Sequence, residues 1–267
     1  MNRIKNKFSQ LKQQNKSAFV AYLCGGDPDY QTSLDALKIF SKNGVDIIEI
    51  GVPFLDPAGD GPIIEASSKR AISAGMDLSK TLKLIQEFRE FDNQTPLILM
   101  TYFNPLLKFG LDKIFSLAKN CGVDGFIVVD LPLEEELEIV KEIQKNQLDF
   151  IKLIAPNTSL ERAKKILKTA SGFVYLISML GITGTKSAKV SDNIDNFKNL
   201  QKICDLPIVI GFGISQPSQA QEFVKIQVDG VVIGSTIVKE MSQNLPSLEI
   251  LRNVEKKVAE FSKAIKN

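Results

Sequence analysis

Eight short apolar runs rich in β-branched residues recur along the chain with helical patterns between them, and no other feature narrows the possible fold as much. They are AFVAYL from Ala18, DIIEI from Asp46, PLILMT from Pro96, DGFIVVD from Asp124, DFIKLI from Asp149, GFVYLI from Gly172, PIVI from Pro207 and DGVVI from Asp229. Runs apolar on both faces fit parallel strands covered by helices. Eight of them alternating with helices predict a closed (β/α)8 barrel.

The intervening segments agree with this reading. Leu34, Leu37 and Phe40 fall on one helical face, as do Leu133, Leu137, Val140 and Ile143. Thr158 with Glu161 has the spacing of a capping box ahead of Ala163, Ile166 and Leu167. Leu248, Leu251, Val254, Val258, Phe261 and Ile265 read as a long terminal helix, and Ile4, Phe8 and Leu11 as an extra N-terminal helix packed on the domain. Gly44 before VDIIEIG, Gly122 before VDGFIVVDLP and the related VDGVVIGS from Val228 suggest an internal repeat of one β unit. No Pro/Gly/Ser-rich linker interrupts the pattern, so residues 1–267 read as a single domain. The competing architecture, an open doubly wound sheet, would want Gly-x-Gly-x-x-Gly after the first strand, and CGGDPD is not that turn.

Composition excludes several functions. The formal net charge is +2 and the basic residues are interspersed with acids, which gives no footprint for nucleic acid. No apolar run approaches the roughly 20 residues of a membrane helix. The first 17 residues are basic and lack acids but have no apolar signal core, so a packed helix is favoured over a targeting peptide. The cytoplasm is the default location, with an organelle stroma as the other. Cys24, Cys121 and Cys204 are too dispersed for a disulfide framework or a zinc site. There is no histidine, so no histidine-based metal site is expected and acid–base chemistry falls to Asp, Glu, Lys, Tyr or Cys.

Barrel active sites form at the C-terminal rim of the strands. Glu49 stands near such an end between Ile48 and Ile50, where burial would raise its pKa toward a value useful for proton transfer. The other reading is a Glu paired with a buried Lys or Tyr. Asp130, at the end of FIVVD, is a rival acid or a turn-capping carboxylate ahead of Pro132. Asp56 and Asp60 have ordinary turn readings, but their loop follows the Glu49 strand directly and must overhang the same barrel mouth, stiffened by Pro53, Pro57 and Pro62. GFGIS from Gly211 and GST from Gly234 follow the seventh and eighth strands, the second of them ahead of a short helix. That pairing is where phosphate-binding barrels hold their anion. The polar stretch from Ser178 to Asp192 has the length of a lid or of a plain surface loop.

Taken together, GGDPD, DIIEIGVPFLDPAGDGP, MTYFNP, DLP, GITGT, GFGIS and GVVIGS resemble the tryptophan synthase α-chain family over nearly the whole length. The resemblance implies a TIM barrel that cleaves indole-3-glycerol phosphate to indole and glyceraldehyde 3-phosphate. It also implies that indole passes to a pyridoxal-phosphate-dependent β chain in an α2β2 heterotetramer, with no cofactor in this chain. Carried over by position, Glu49 would be the catalytic acid/base and Asp60 the carboxylate beside the indole nitrogen. Gly184, Gly213, Gly234 and Ser235 would hold the phosphate. Tyr22, Met100, Ile127, Val129, Leu153, Tyr175, Thr183 and Phe212 would line the substrate pocket, and Pro53, Asp56, Pro57 and Asn104 would face the β chain. The chain departs from the family's usual pattern at Leu55, where serine is usual, at Ala58-Gly59, where a large aliphatic and alanine are usual, and at Met179 and Lys186, where an arginine is often found.

A retro-aldol cleavage needs an electron sink. Lys152 is the one strand lysine, and alternation with Leu153 directs it away from the pocket, so a Schiff base is not expected. An indole protonated at C3 is its own sink, and a carboxylate near its N–H stabilises the developing charge. Two alternatives compete: another phosphate-binding barrel isomerase or lyase, and an α-like subunit whose chemistry has weakened and which mainly binds and activates a β chain.

Overall fold

The computed structural model describes residues 2–178, 193–211 and 213–266. Nine parallel strands form one sheet: β1 (Ala18–Cys24), β2 (Ile47–Gly51), β3 (Leu97–Thr101), β4 (Gly125–Val128), β5 (Asp149–Phe150), β6 (Lys152–Ile154), β7 (Val174–Ile177), β8 (Ile208–Gly211) and β9 (Gly230–Ile233). Their order is β5-β4-β3-β2-β1-β9-β8-β7-β6. The two ends of this order are consecutive in sequence, so the sheet closes on itself through Ile151, whose N–H donates to Phe126 O at 2.9 Å. Eight expected runs thus become nine strands for a geometric reason. The fifth run pairs with β4 through Asp149 and Phe150 and with β7 through Lys152 to Ile154, as the stagger of a closed barrel requires.

Helices cover the outside: α1 (Arg3–Gln13), α2 (Tyr30–Lys42), α3 (Pro62–Ser73), α4 (Leu78–Phe91), α5 (Phe103–Phe109), α6 (Leu111–Cys121), α7 (Leu137–Lys145), α8 (Leu160–Leu167), α9 (Ile194–Gln201), α10 (Pro217–Lys225), α11 (Ser235–Met241) and α12 (Ser247–Lys266). Alternation along each strand splits the apolar residues into two sets. Phe19, Ile48, Leu97, Phe126 and Ile210 face outward to the helices. Val20, Ile47, Ile98, Ile127, Ile151, Phe173, Val209 and Val232 fill the barrel, and Ile4, Phe8 and Leu11 of α1 join that same cluster. α1 therefore plugs the bottom of the barrel, with Phe8 and Phe173 ring centroids 5.7 Å apart.

Three local expectations need correction. Leu137 is 64% exposed and Leu248 74% exposed; the faces that bury are Ile139, Val140 and Ile143 on α7, and Ile250 with Val254, Val258, Phe261 and Ile265 on α12. Both leucines stand in the first turn, beyond the reach of the sheet. The cap of α8 is Ser159, which accepts from Arg162 N–H at 3.3 Å, whereas Thr158 turns back to accept from Ala155 N–H at 3.1 Å.

The repeated Val-Asp has a clear structural use. Asp46, Asp124 and Asp229 each stand at the foot of a strand and accept the backbone N–H of the preceding strand's first residues: Phe19 at 2.8 Å, Leu97 at 2.9 Å and Ile208 at 2.8 Å. Each carboxylate latches two neighbouring strands at the lower rim. Asp124 also holds Arg3 at 2.8 Å and Arg89 at 2.9 Å, with its own side chain 4% exposed. Removing one member of a buried ion pair leaves the rest uncompensated. Asp124→Ala should therefore cost about 3 kcal/mol in urea unfolding, at the low end of the usual range because Arg89 keeps its carbonyl acceptors Gly122, Asp92 and Thr95.

Candidate active site

The upper ends of the inward-facing rows converge on one cavity. Tyr22 follows Val20 on β1, Glu49 follows Ile47 on β2, Met100 follows Ile98 on β3, and Tyr175 follows Phe173 on β7. With Asp60, Gly213, Gly234 and Ser235 these four line a small cavity that opens at the barrel mouth. Ile64 from α3, Ile214 and Val232 complete the wall. The first two of these were not legible as site residues in the sequence, because a lone isoleucine after a proline-started helix or a glycine loop reads as ordinary core. Ile127, Val129 and Leu153 pack in the barrel's interior cluster, beneath or beside this cavity. Thr183, Gly184 and Phe212, with Met179 and Lys186, lie outside the described residues.

Glu49 is 1% exposed, and its Oε1 has no hydrogen-bond partner among the described residues. Desolvation pushes its pKa up to about 8. It sits beside Tyr22 in the register of β1 and β2 and makes no ion pair with a lysine among the described residues. The one strand lysine, Lys152, points outward as alternation requires and pairs with Glu136, its ammonium 4.0 Å from the centroid of the Phe150 ring.

Asp60 reaches the cavity from the loop between β2 and α3. Its carbonyl-anchored turn is tight: Asp60 N–H donates to Pro57 O at 3.0 Å and Ala58 N–H to Asp56 O at 3.1 Å. Burial raises the Asp60 pKa to about 6, against a lowering hydrogen bond from Tyr102. Tyr102, at the end of β3, is 4% exposed, rests against Phe54 with ring centroids 5.4 Å apart, and accepts Gly59 N–H at 3.0 Å. It is a residue that sequence reasoning missed, since its role depends on a loop more than 40 positions away.

Two tyrosines line the cavity together with the carboxyls. Burial pushes both phenols well above their ordinary pKa, and Asp60 and Glu49 add to the rise at each. A Cβ on Gly51 would lie 2.1 Å from Tyr22 Oη, and one on Gly211 would lie 2.1 Å from Tyr175 Oη. Glycine at these two strand ends is what lets the phenols lie across the next strand. At the far side, α11 starts at Ser235 with Gly234 as N-cap and no side chain to cap its first N–H groups. Thr236 Oγ1 donates to Ile214 O at 3.4 Å and ties this turn to the loop after β8.

Outside the cavity, Asp130 proves to be a cap: its Oδ1 accepts Phe103 N–H, the first of α5, at 2.7 Å. Pro53 is buried, Pro57 is half-buried, and Asp56 and Asn104 are exposed. Leu55 is 63% and Leu107 55% exposed, on the same loop as Asp56 and the same helix as Asn104. No helix among the described residues is long and apolar enough to cross a membrane.

Known proteins agree with this geometry. The model of the tryptophan synthase alpha-chain family matches residues 8–267. A solved structure from Aquifex aeolicus VF5 is 36% identical over 100% of both chains, with a TM-score of 0.91. The tryptophan synthase subunit alpha of Legionella pneumophila str. Paris is 30% identical over 99% of this chain and 98% of that one, with a TM-score of 0.90. A chain of the tryptophan synthase complex of Pyrococcus furiosus is 34% identical over 92% and 98%, with a TM-score of 0.84. Matched by the family model over residues 8–267 and by relatives 30% or more identical over nearly their whole length, the chain belongs to the tryptophan synthase alpha-chain family.

Proposed function

We propose that this chain cleaves indole-3-glycerol phosphate by a retro-aldol reaction, releasing indole and glyceraldehyde 3-phosphate. The observation that carries the reading is Glu49: a carboxyl 1% exposed, with an oxygen lacking a hydrogen-bond partner among the described residues, lining a cavity that Asp60 also lines. With its pKa near 8, Glu49 holds its proton at neutral pH and can give it to indole C3. The carboxylate so formed takes the proton of the side-chain hydroxyl. As the hydroxyl becomes a carbonyl the carbon–carbon bond breaks, its electron pair forms the C2=C3 double bond of indole, the C=N pair returns to the ring nitrogen, and Glu49 is left holding the hydroxyl proton. Asp60, ionised above about pH 6, stabilises the positive charge on the ring nitrogen in between. Tyr22 and Tyr175 flank the flat ring, and the backbone of Gly213, Gly234 and Ser235, with Gly184, receives the phosphate. No cofactor in this chain is needed for these steps.

The partner is a pyridoxal-phosphate-dependent β chain in an α2β2 assembly, docking on the rim that carries Pro53, Asp56, Pro57 and Asn104. Exposed Leu55 and Leu107 give that rim an apolar component, and hydrophobic side chains exposed together commonly mark interfaces. The test is indole release from indole-3-glycerol phosphate, measured for the chain alone and with a β chain. Release that the β chain accelerates is the expected result; absence of release in both conditions would overturn the reading.

A further inference from the structure

The loop aspartate is held by a contact that the chain's departure from the family pattern makes possible. Gly59 N–H donates to Tyr102 Oη at 3.0 Å, and the same phenol hydrogen-bonds the Asp60 carboxyl. A Cβ on Gly59 would lie 2.8 Å from Val129 Cγ1 and 3.3 Å from Tyr102 Oη. The first distance is one that real Cβ atoms do not show, and neither neighbour can easily yield. Val129 is β-branched and stiff at χ1, and its N–H is fixed to Thr101 O at 2.9 Å. The Tyr102 ring is buried against Phe54.

We propose that Gly59 and Val129 form a matched pair of positioning residues: the methyl of Val129 occupies the space of the missing Cβ, and the fit sets where Tyr102 holds Asp60. This rests on Asp60 being the counter-charge to the substrate ring. The alanine usual in the family at position 59 would, in this chain, push the loop off Val129, lengthen the Gly59–Tyr102 bond and move the carboxylate away from the cavity. Displacements of about 1 Å can cost on the order of a hundredfold in rate.

The experiment is a double-mutant cycle on the full chain, with steady-state cleavage of indole-3-glycerol phosphate and its pH profile as readouts. In the wild-type background Gly59→Ala should lower kcat about tenfold or more with a smaller change in KM. In a Val129→Ala background the same substitution should change kcat less than about threefold, because the clash is gone. Carrying the carboxylate out of the cavity relieves the burial that raises Asp60, which outweighs the lowering hydrogen bond from Tyr102, so the acid limb of the Gly59→Ala profile should move to lower pH. A purely structural fault would move the thermal midpoint but not that limb. Equal effects of Gly59→Ala in the two backgrounds would overturn the pairing while leaving the role of Asp60 intact. A wild-type chain that cleaves nothing, or an Asp60→Asn variant as fast as wild type, would overturn both.

Discussion

Glu49→Gln is expected to lower kcat for indole-3-glycerol phosphate cleavage by about 10²- to 10⁴-fold while substrate binding persists. Glutamine keeps the shape and the buried position but can neither give a proton to C3 nor take one from the hydroxyl. The wild-type pH profile supplies a second check. Activity needs Asp60 ionised and Glu49 protonated, so kcat/KM should rise through about pH 6 and fall through about pH 8. Deprotonating Glu49 should lower stability as well as activity. A carboxyl whose folded-state pKa is raised favours the fold below its unfolded pKa, and that contribution is lost as pH rises through the folded value. Between pH 5 and pH 9 the glutamine variant should therefore gain on the wild type in urea unfolding, by on the order of a few kcal/mol. A stability difference that does not vary with pH would show that Glu49 carries no raised pKa.

Asp60→Asn should cost about 10²- to 10³-fold in kcat, the range for removing one preorganised electrostatic partner of a developing charge. Asparagine can still accept a hydrogen bond from the ring N–H, so KM should change far less. The acid limb near pH 6 should disappear with the group that causes it. Full turnover in this variant would remove Asp60 from the chemistry and leave charge stabilisation to some other group. Retention of the limb would assign it to another acid; Asp27, raised to about 6 by burial, would be the first to test.

Much of this was readable from local pattern. The strands were visible because runs apolar on both faces fit parallel strands covered by helices, and Glu49 stood out as a lone carboxylate in such a run near its end. Lys152 could be placed outward by alternation with Leu153, but not its partner Glu136, which reaches it from the segment ahead of α7. Asp130 could not be assigned, because a cap and an active-site acid at a strand end look alike until the N–H of Phe103 is seen to meet it. The caps and first turns of α7, α8 and α12 were misjudged where helical periodicity ran past the point at which the barrel surface curves away. The linkage of Gly59 to Val129 and Tyr102 was beyond reach, since it joins three segments only after the barrel closes.

α1 has a consequence for traffic through the molecule. By seating Ile4, Phe8 and Leu11 against the innermost barrel residues, it seals the floor of a barrel already filled with side chains. Among the described residues, a small apolar molecule set free beside Glu49 finds a packed floor beneath it and an open mouth above. Among the described residues the mouth is edged by the loop of Leu55, Asp56 and Asp60. On the proposed function, a partner docked on that loop would stand where substrate enters and product leaves.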